Sequence, residues 1–72
     1  MKRYYGVCDW RLKDLDMSIY SFNSYEEAEK KAEDIWHHLA KKERVNRELS
    51  ICICEVDEDG YESIIETLKE YK

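Results

Sequence analysis

Apolar residues recur along this chain with two different periods, and each change of period marks an element boundary. Residues 3–10, RYYGVCDW, are aromatic and β-branched enough for a strand. Alternation puts Tyr5 and Val7 on one face of it, and Tyr4, Gly6, Cys8 and Trp10 on the other. Both faces are partly apolar, so the pattern does not say which one is buried. The polar run 11–16 is a connection, and residues 17–22 form a second strand with Met17 and Ile19 opposed to Tyr20 and Phe22.

The period then switches to that of a helix. Ser24 and Glu27 have the S-x-x-E spacing in which each side chain caps the other's backbone N–H, and Asn23 with Glu26 would serve one residue earlier. From there Ala28, Ala32, Ile35, Trp36 and Leu39 fall on one stripe of a helical wheel. Glu26 precedes Lys30, and Glu27 precedes Lys31, in the favourable order for pairs four residues apart. Lys41, Lys42 and Arg44 would sit at the negative end of the helix dipole, so the whole stretch 24–47 reads as one capped helix.

Residues 49–56, LSICICEV, return to alternation, with Leu49, Ile51 and Ile53 opposed to Ser50, Cys52, Cys54 and Val56. The turn DEDG at 57–60 ends this strand. Beyond it Tyr61, Ile64, Ile65, Leu68 and Tyr71 recur with helical spacing, and Asp59 with Glu62 offers another capping pair. These residues predict a C-terminal helix. The rival is a hairpin, because Asp-Gly is also a hairpin signal. The expected order is β-β-α-β-α. It gives a single α+β domain over 1–72, with a small three-stranded, mainly antiparallel sheet and two helices on one face. The strand order stays open; if the third strand lies beside the first, one sheet face is covered by the helices and the other is open.

Composition narrows the function classes. A chain of 72 residues buries only about 60% of the surface its unfolded form exposes, so a dedicated small-molecule pocket competes with the core for apolar side chains. The formal net charge is −5 and 40% of residues are charged, which argues against a general nucleic-acid binder. Three cysteines cannot all pair within one chain and read as reduced thiols. No apolar run is long enough for a signal peptide or a membrane span, so the expected setting is cytoplasmic, with no membrane partner.

Chemistry-bearing residues are few. His37 and His38 lie off the apolar stripe, each four residues after an acid (Glu33 and Asp34), and adjacent histidines on a helix diverge too far to share a metal. Cys52 and Cys54 project from the same strand face, and Cys8 would join them if the first and third strands are neighbours. Three thiolates suit zinc or a soft metal, but C-x-C lacks the spacing of structural zinc sites. Buried free cysteines usually act as small hydrophobes. Glu55, Asp57, Glu58, Asp59 and Glu62 cluster without the alternating ligands of a calcium loop. They read as a solvated turn, or as an acidic flank able to imitate a phosphate array. Lys41, Lys42, Arg44 and Arg47 are diluted by Glu43 and Glu48. No phosphate loop, nucleophile elbow or zincin motif occurs, so no enzyme, cofactor or metal is expected.

What remains is aromatic content, with six tyrosines, two tryptophans and one phenylalanine. An open sheet face would carry Tyr4, Trp10, Cys52 and Cys54, and contiguous exposed apolar surface marks a partner site. The helix pattern A-x3-A-x3-W-x-H-L-x3-E, formed by Ala28, Ala32, Trp36, His38, Leu39 and Glu43, resembles a group of short uncharacterised proteins of Firmicutes and their phages and mobile elements. That resemblance implies a bacterial or phage setting and carries no activity or site residues with it. The expected function is a protein-interaction module without catalysis, with a homodimer through the open face as one form. The alternatives are an acidic inhibitor of a nucleic-acid-processing protein, acting through Asp57, Glu58 and Asp59, and, more weakly, a thiol-based metal-binding protein.

Overall fold

In a computed structural model describing residues 2–72, the chain forms β1 (Lys2–Arg11), β2 (Asp16–Phe22), α1 (Tyr25–His38), α2 (Lys41–Arg44), β3 (Arg47–Val56) and β4 (Glu62–Tyr71). The strands make one antiparallel sheet in the order β2-β1-β3-β4. The strand order, which the sequence left open, sets β3 beside β1, with Tyr5 opposite Ile53 and Val7 opposite Ile51. One sheet face is covered by α1, which packs on β1, β2 and β3. Val7, Leu49 and Ile51 meet Ala28, Ala32 and Trp36 there, with Tyr5, Phe22, Ile35, Leu39 and Tyr71 at the margin.

Helix α1 begins where the cap predicts. The Glu27 backbone N–H donates to Ser24 Oγ at 3.3 Å, and the Ser24 hydroxyl donates to the Glu27 carboxylate at 3.0 Å. Capping uses up Glu27, and Lys31 lies 5.1 Å from the Tyr20 ring centroid, so the expected Glu27–Lys31 pair does not form. The helix is also shorter than expected. Leu39 and Ala40 are extended, and the Glu43 carboxylate accepts from the Ala40 N–H at 2.9 Å to start α2. Two competing caps therefore split the stretch 24–47, and Lys41, Lys42 and Arg44 belong to α2 instead of the α1 terminus.

The expected C-terminal helix is corrected to a strand, which makes the sheet four-stranded. The Asp57 carboxylate accepts from the backbone N–H groups of Asp59 and Tyr61, both at 2.9 Å, and Gly60 takes a φ of 86°. That Asp-Gly turn folds the chain back onto β3. The helical spacing misleads because the β3–β4 register slips twice: Leu68 and Ile65 are extra residues opposite the Ile51/Cys52 and Ile53/Cys54 steps. Each bulge inserts one residue into a two-residue period and so converts it locally to three. A strand also pairs the outer edge of β3, whose buried backbone groups need partners.

Candidate functional site

The sheet face without a helix carries Tyr4, Gly6, Cys8 and Trp10 from β1. Met17, Ile19 and Ser21 stand beside them on β2, Cys52 and Cys54 on β3, and Thr67 and Ile64 on β4. Charged residues of this face, Lys2, Glu48, Glu62 and Glu70, lie at its ends or along β4. Tyr4, Trp10 and Ile19 are half-buried, while Met17 and Ile64 are exposed.

All three cysteines gather in the middle of this face, but beneath its surface. Cys8, Cys52 and Cys54 are 4%, 1% and 1% exposed, packed under Tyr4 and Ile19. The Cys8 thiol donates to Cys52 Sγ at 3.5 Å, and Ser50 Oγ lies 3.3 Å from Cys52 Sγ. Gly6 makes room for this cluster. A Cβ there would stand 2.7 Å from Cys54 Sγ, too close for any other residue without a shift. Burial, followed by the neighbouring Cys52, pushes the thiols of Cys8 and Cys54 above their ordinary range. Such thiols are poor nucleophiles. Among the described residues, no group of three or more His, Cys, Asp or Glu side chains is arranged to hold a metal ion. The cysteines therefore support the face from below, and a partner on it would touch Tyr4, Trp10, Ile19, Met17 and Ile64 instead.

Of these, Tyr4 has a phenolic oxygen that is shielded from solvent and has no hydrogen-bond partner among the described residues. Burial, and then the nearby Glu62 carboxylate, raise its pKa. The acidic candidates divide by role. Asp57 is committed to its turn, whereas Glu58 and Asp59 are exposed at its tip. Glu55 pairs with Arg3 at 2.9 Å. On the outer side of α1, His38 Nδ1 lies 2.7 Å from the Asp34 carbonyl oxygen and 3.5 Å from its carboxylate. Glu33 turns instead toward Lys69, at 3.8 Å, so only one of the two acid–histidine pairs forms.

An ion pair that no sequence motif announces lies under the helix-covered side. Asp9, 2% exposed, accepts from Arg47 Nε at 2.9 Å and Nη2 at 2.6 Å, and Arg11 stands 3.6 Å away. Its only signal was an acid in an otherwise apolar alternation. The pair ties β1 to the start of β3 and is structural, since a buried carboxylate must be paired. With this geometry in view, comparison gives no relatives to draw on: the chain matches no protein-family model, no curated protein and no solved structure. Among the described residues, no helix is long and apolar enough to cross a membrane.

Proposed function

We propose that this protein is a binding module without a catalytic centre, engaging another protein or a second copy of itself through the helix-free face of its sheet. One observation carries the reading. An apolar surface of Tyr4, Trp10, Met17, Ile19 and Ile64 is left uncovered by any element of the chain, with charge confined to its margin. An apolar centre inside a polar rim is the usual anatomy of an interface.

Light scattering tests the self-associating form. Self-association at high micromolar concentration is expected, and Met17→Lys, at an exposed position, should abolish it while leaving the thermal midpoint of the monomer unchanged. A strictly monomeric wild type would remove the homodimer. Failure of a Trp10 and Met17 spin-label scan to find any protected surface in cell extract would remove the module reading.

A second reading, an acidic inhibitor directed at a basic groove of a nucleic-acid-processing protein, is favoured by the placement of charge. Residues 57–70 contain Asp57, Glu58, Asp59, Glu62, Glu66 and Glu70 against Lys69 alone, which accounts for the whole net charge of −5. They form one edge of the sheet. Binding of this kind should weaken steeply with salt and on charge reversal at Glu58 and Asp59, and indifference to both would rule it out.

A further inference from the structure

At the opposite end of the sheet from the acidic turn, α2, the start of β3 and the end of β4 enclose a cleft of about 690 Å³, within the usual range for small-ligand sites. Trp36 and Tyr71 line it, with ring centroids 5.9 Å apart. Arg44 reaches across it. Its guanidinium lies 4.8 Å from the Trp36 ring centroid, and its Nε and Nη2 donate to the Trp36 carbonyl oxygen at 3.2 and 2.9 Å. Stacking plus two hydrogen bonds hold this group in one orientation, which removes most of the ordering cost of binding.

Its charge is not compensated. Arg3, Arg11 and Arg47 each bind a carboxylate, whereas among the described residues Arg44 has none within ion-pair distance. Lys41, on the same wall, is likewise unpaired among the described residues. Arg47 is neutralised by Asp9 and Lys72 lies 3.7 Å from Glu70, so among the described residues Glu48 is the one acid of the lining without a cation at ion-pair distance. A preorganised cation in a cleft, in a chain whose net charge is −5, is a feature that simple solubility does not require.

We infer that this cleft binds a small phosphorylated molecule, with the phosphate held between Arg44 and Lys41 and an apolar or aromatic body lying along Val45 toward the Trp36–Tyr71 floor. The free edge of a guanidinium matches phosphate oxygens in bidentate fashion, and Lys41 adds a point charge from a second direction. A carboxylate can take the same fork with its two oxygens but lacks the further oxygen that a phosphate offers to Lys41. An extended polyanion is disfavoured because Glu48 and Glu70 flank the cleft and would repel phosphates running past it. The cleft meets the helix-free sheet face only at its rim, through Glu48, Ser50 and Glu70, and its cations lie off that face, so either assignment can stand without the other.

The test is a titration of ¹⁵N-labelled protein at low salt with phenyl phosphate, inorganic phosphate and phenol, reading the Trp36 indole, Arg44 Nε and Tyr71 amide signals. Phenyl phosphate should shift all three and bind more tightly than inorganic phosphate, and phenol should shift none. Arg44→Gln and Lys41→Gln should each weaken binding about tenfold, as loss of a charge-assisted hydrogen bond implies. Glu48→Gln should tighten it several-fold, while Lys30→Gln on α1 changes nothing. If Arg44→Gln unfolds the protein, Lys41→Gln and Glu48→Gln still decide, because neither side chain supports the fold. Equal shifts at Lys30, Lys31 and Lys42, or no response to Glu48→Gln, would overturn the assignment and leave only diffuse attraction of anions.

Discussion

Gly6 is the residue on which the open face turns. Its missing side chain admits Cys54 Sγ, and the three thiols close over the middle of the sheet. Gly6→Ala should therefore cost about 1–3 kcal/mol from overpacking, read by urea unfolding. Combined with Cys54→Ala, which removes the clashing atom, the same change should cost at least about 1 kcal/mol less than the two single effects added together. The buried thiols also set an alkaline limit. Cys8 and Cys54 titrate higher in the folded state than in the unfolded chain, where thiols ionise near about 8.5. Their contribution is complete below that pH and is lost above it, as the unfolded state releases protons first. Stability should fall above about pH 8.5 by at most about 1.4 kcal/mol per pH unit for each thiol, a slope that Cys8→Ala should reduce. Leu15 offers the opposite sign. It is 80% exposed and holds a φ of 51° in the β1–β2 loop, a left-handed conformation that costs a leucine about 1–2 kcal/mol. Leu15→Asn should raise the urea midpoint, by about 0.5–1 kcal/mol of stability.

At the scale of elements, the two halves of the chain were unequally legible. The S-x-x-E cap, the stripe from Ala28 to Leu39 and the alternation of β1 and β3 each obey a single period, and the structure follows them. In the 24–47 stretch the pattern marked one helix start, at Ser24, and nothing in it ranks Glu43 capping Ala40 above continuation of α1. Residues 61–71 satisfied a helical period and a strand propensity at once. The turn decided between them: Asp57 fixes its backbone and Gly60 reverses it. Gly60→Ala places a Cβ at a φ of 86° with open space around it, so its cost is conformational, about 1 kcal/mol. That loss should appear in unfolding curves together with faster hydrogen exchange along β4 and unchanged exchange in α1.

Across the whole molecule, charge and apolar surface are segregated. The acids of residues 57–70 line the β4 edge, apolar residues occupy the sheet face beside it, and the uncompensated Arg44 and Lys41 sit at the far end. Crowding like charges on one strand opposes folding and discourages edge-to-edge pairing of two copies. Replacing Glu62, Glu66 and Glu70 by Gln should therefore raise stability at 10 mM salt by up to about 1 kcal/mol in total. The gain should disappear near 1 M salt, where screening reaches about 3 Å, and thermal unfolding at the two salt concentrations measures both.

By itself the sequence determined what short-range physics controls: the α1 cap, the buried stripe, and the strand alternation that puts Tyr4 with Trp10 and Cys52 with Cys54. These depend on spacing within a few residues, which a sequence displays directly. Only the tertiary structure decided which face α1 would cover, that β4 would complete the sheet, and that the cysteines would lie beneath the open face instead of on it. It alone brought Arg47 to Asp9 and laid Arg44 across Trp36. Each of those outcomes depends on register and on contacts between distant segments, where one inserted residue reverses every side chain that follows.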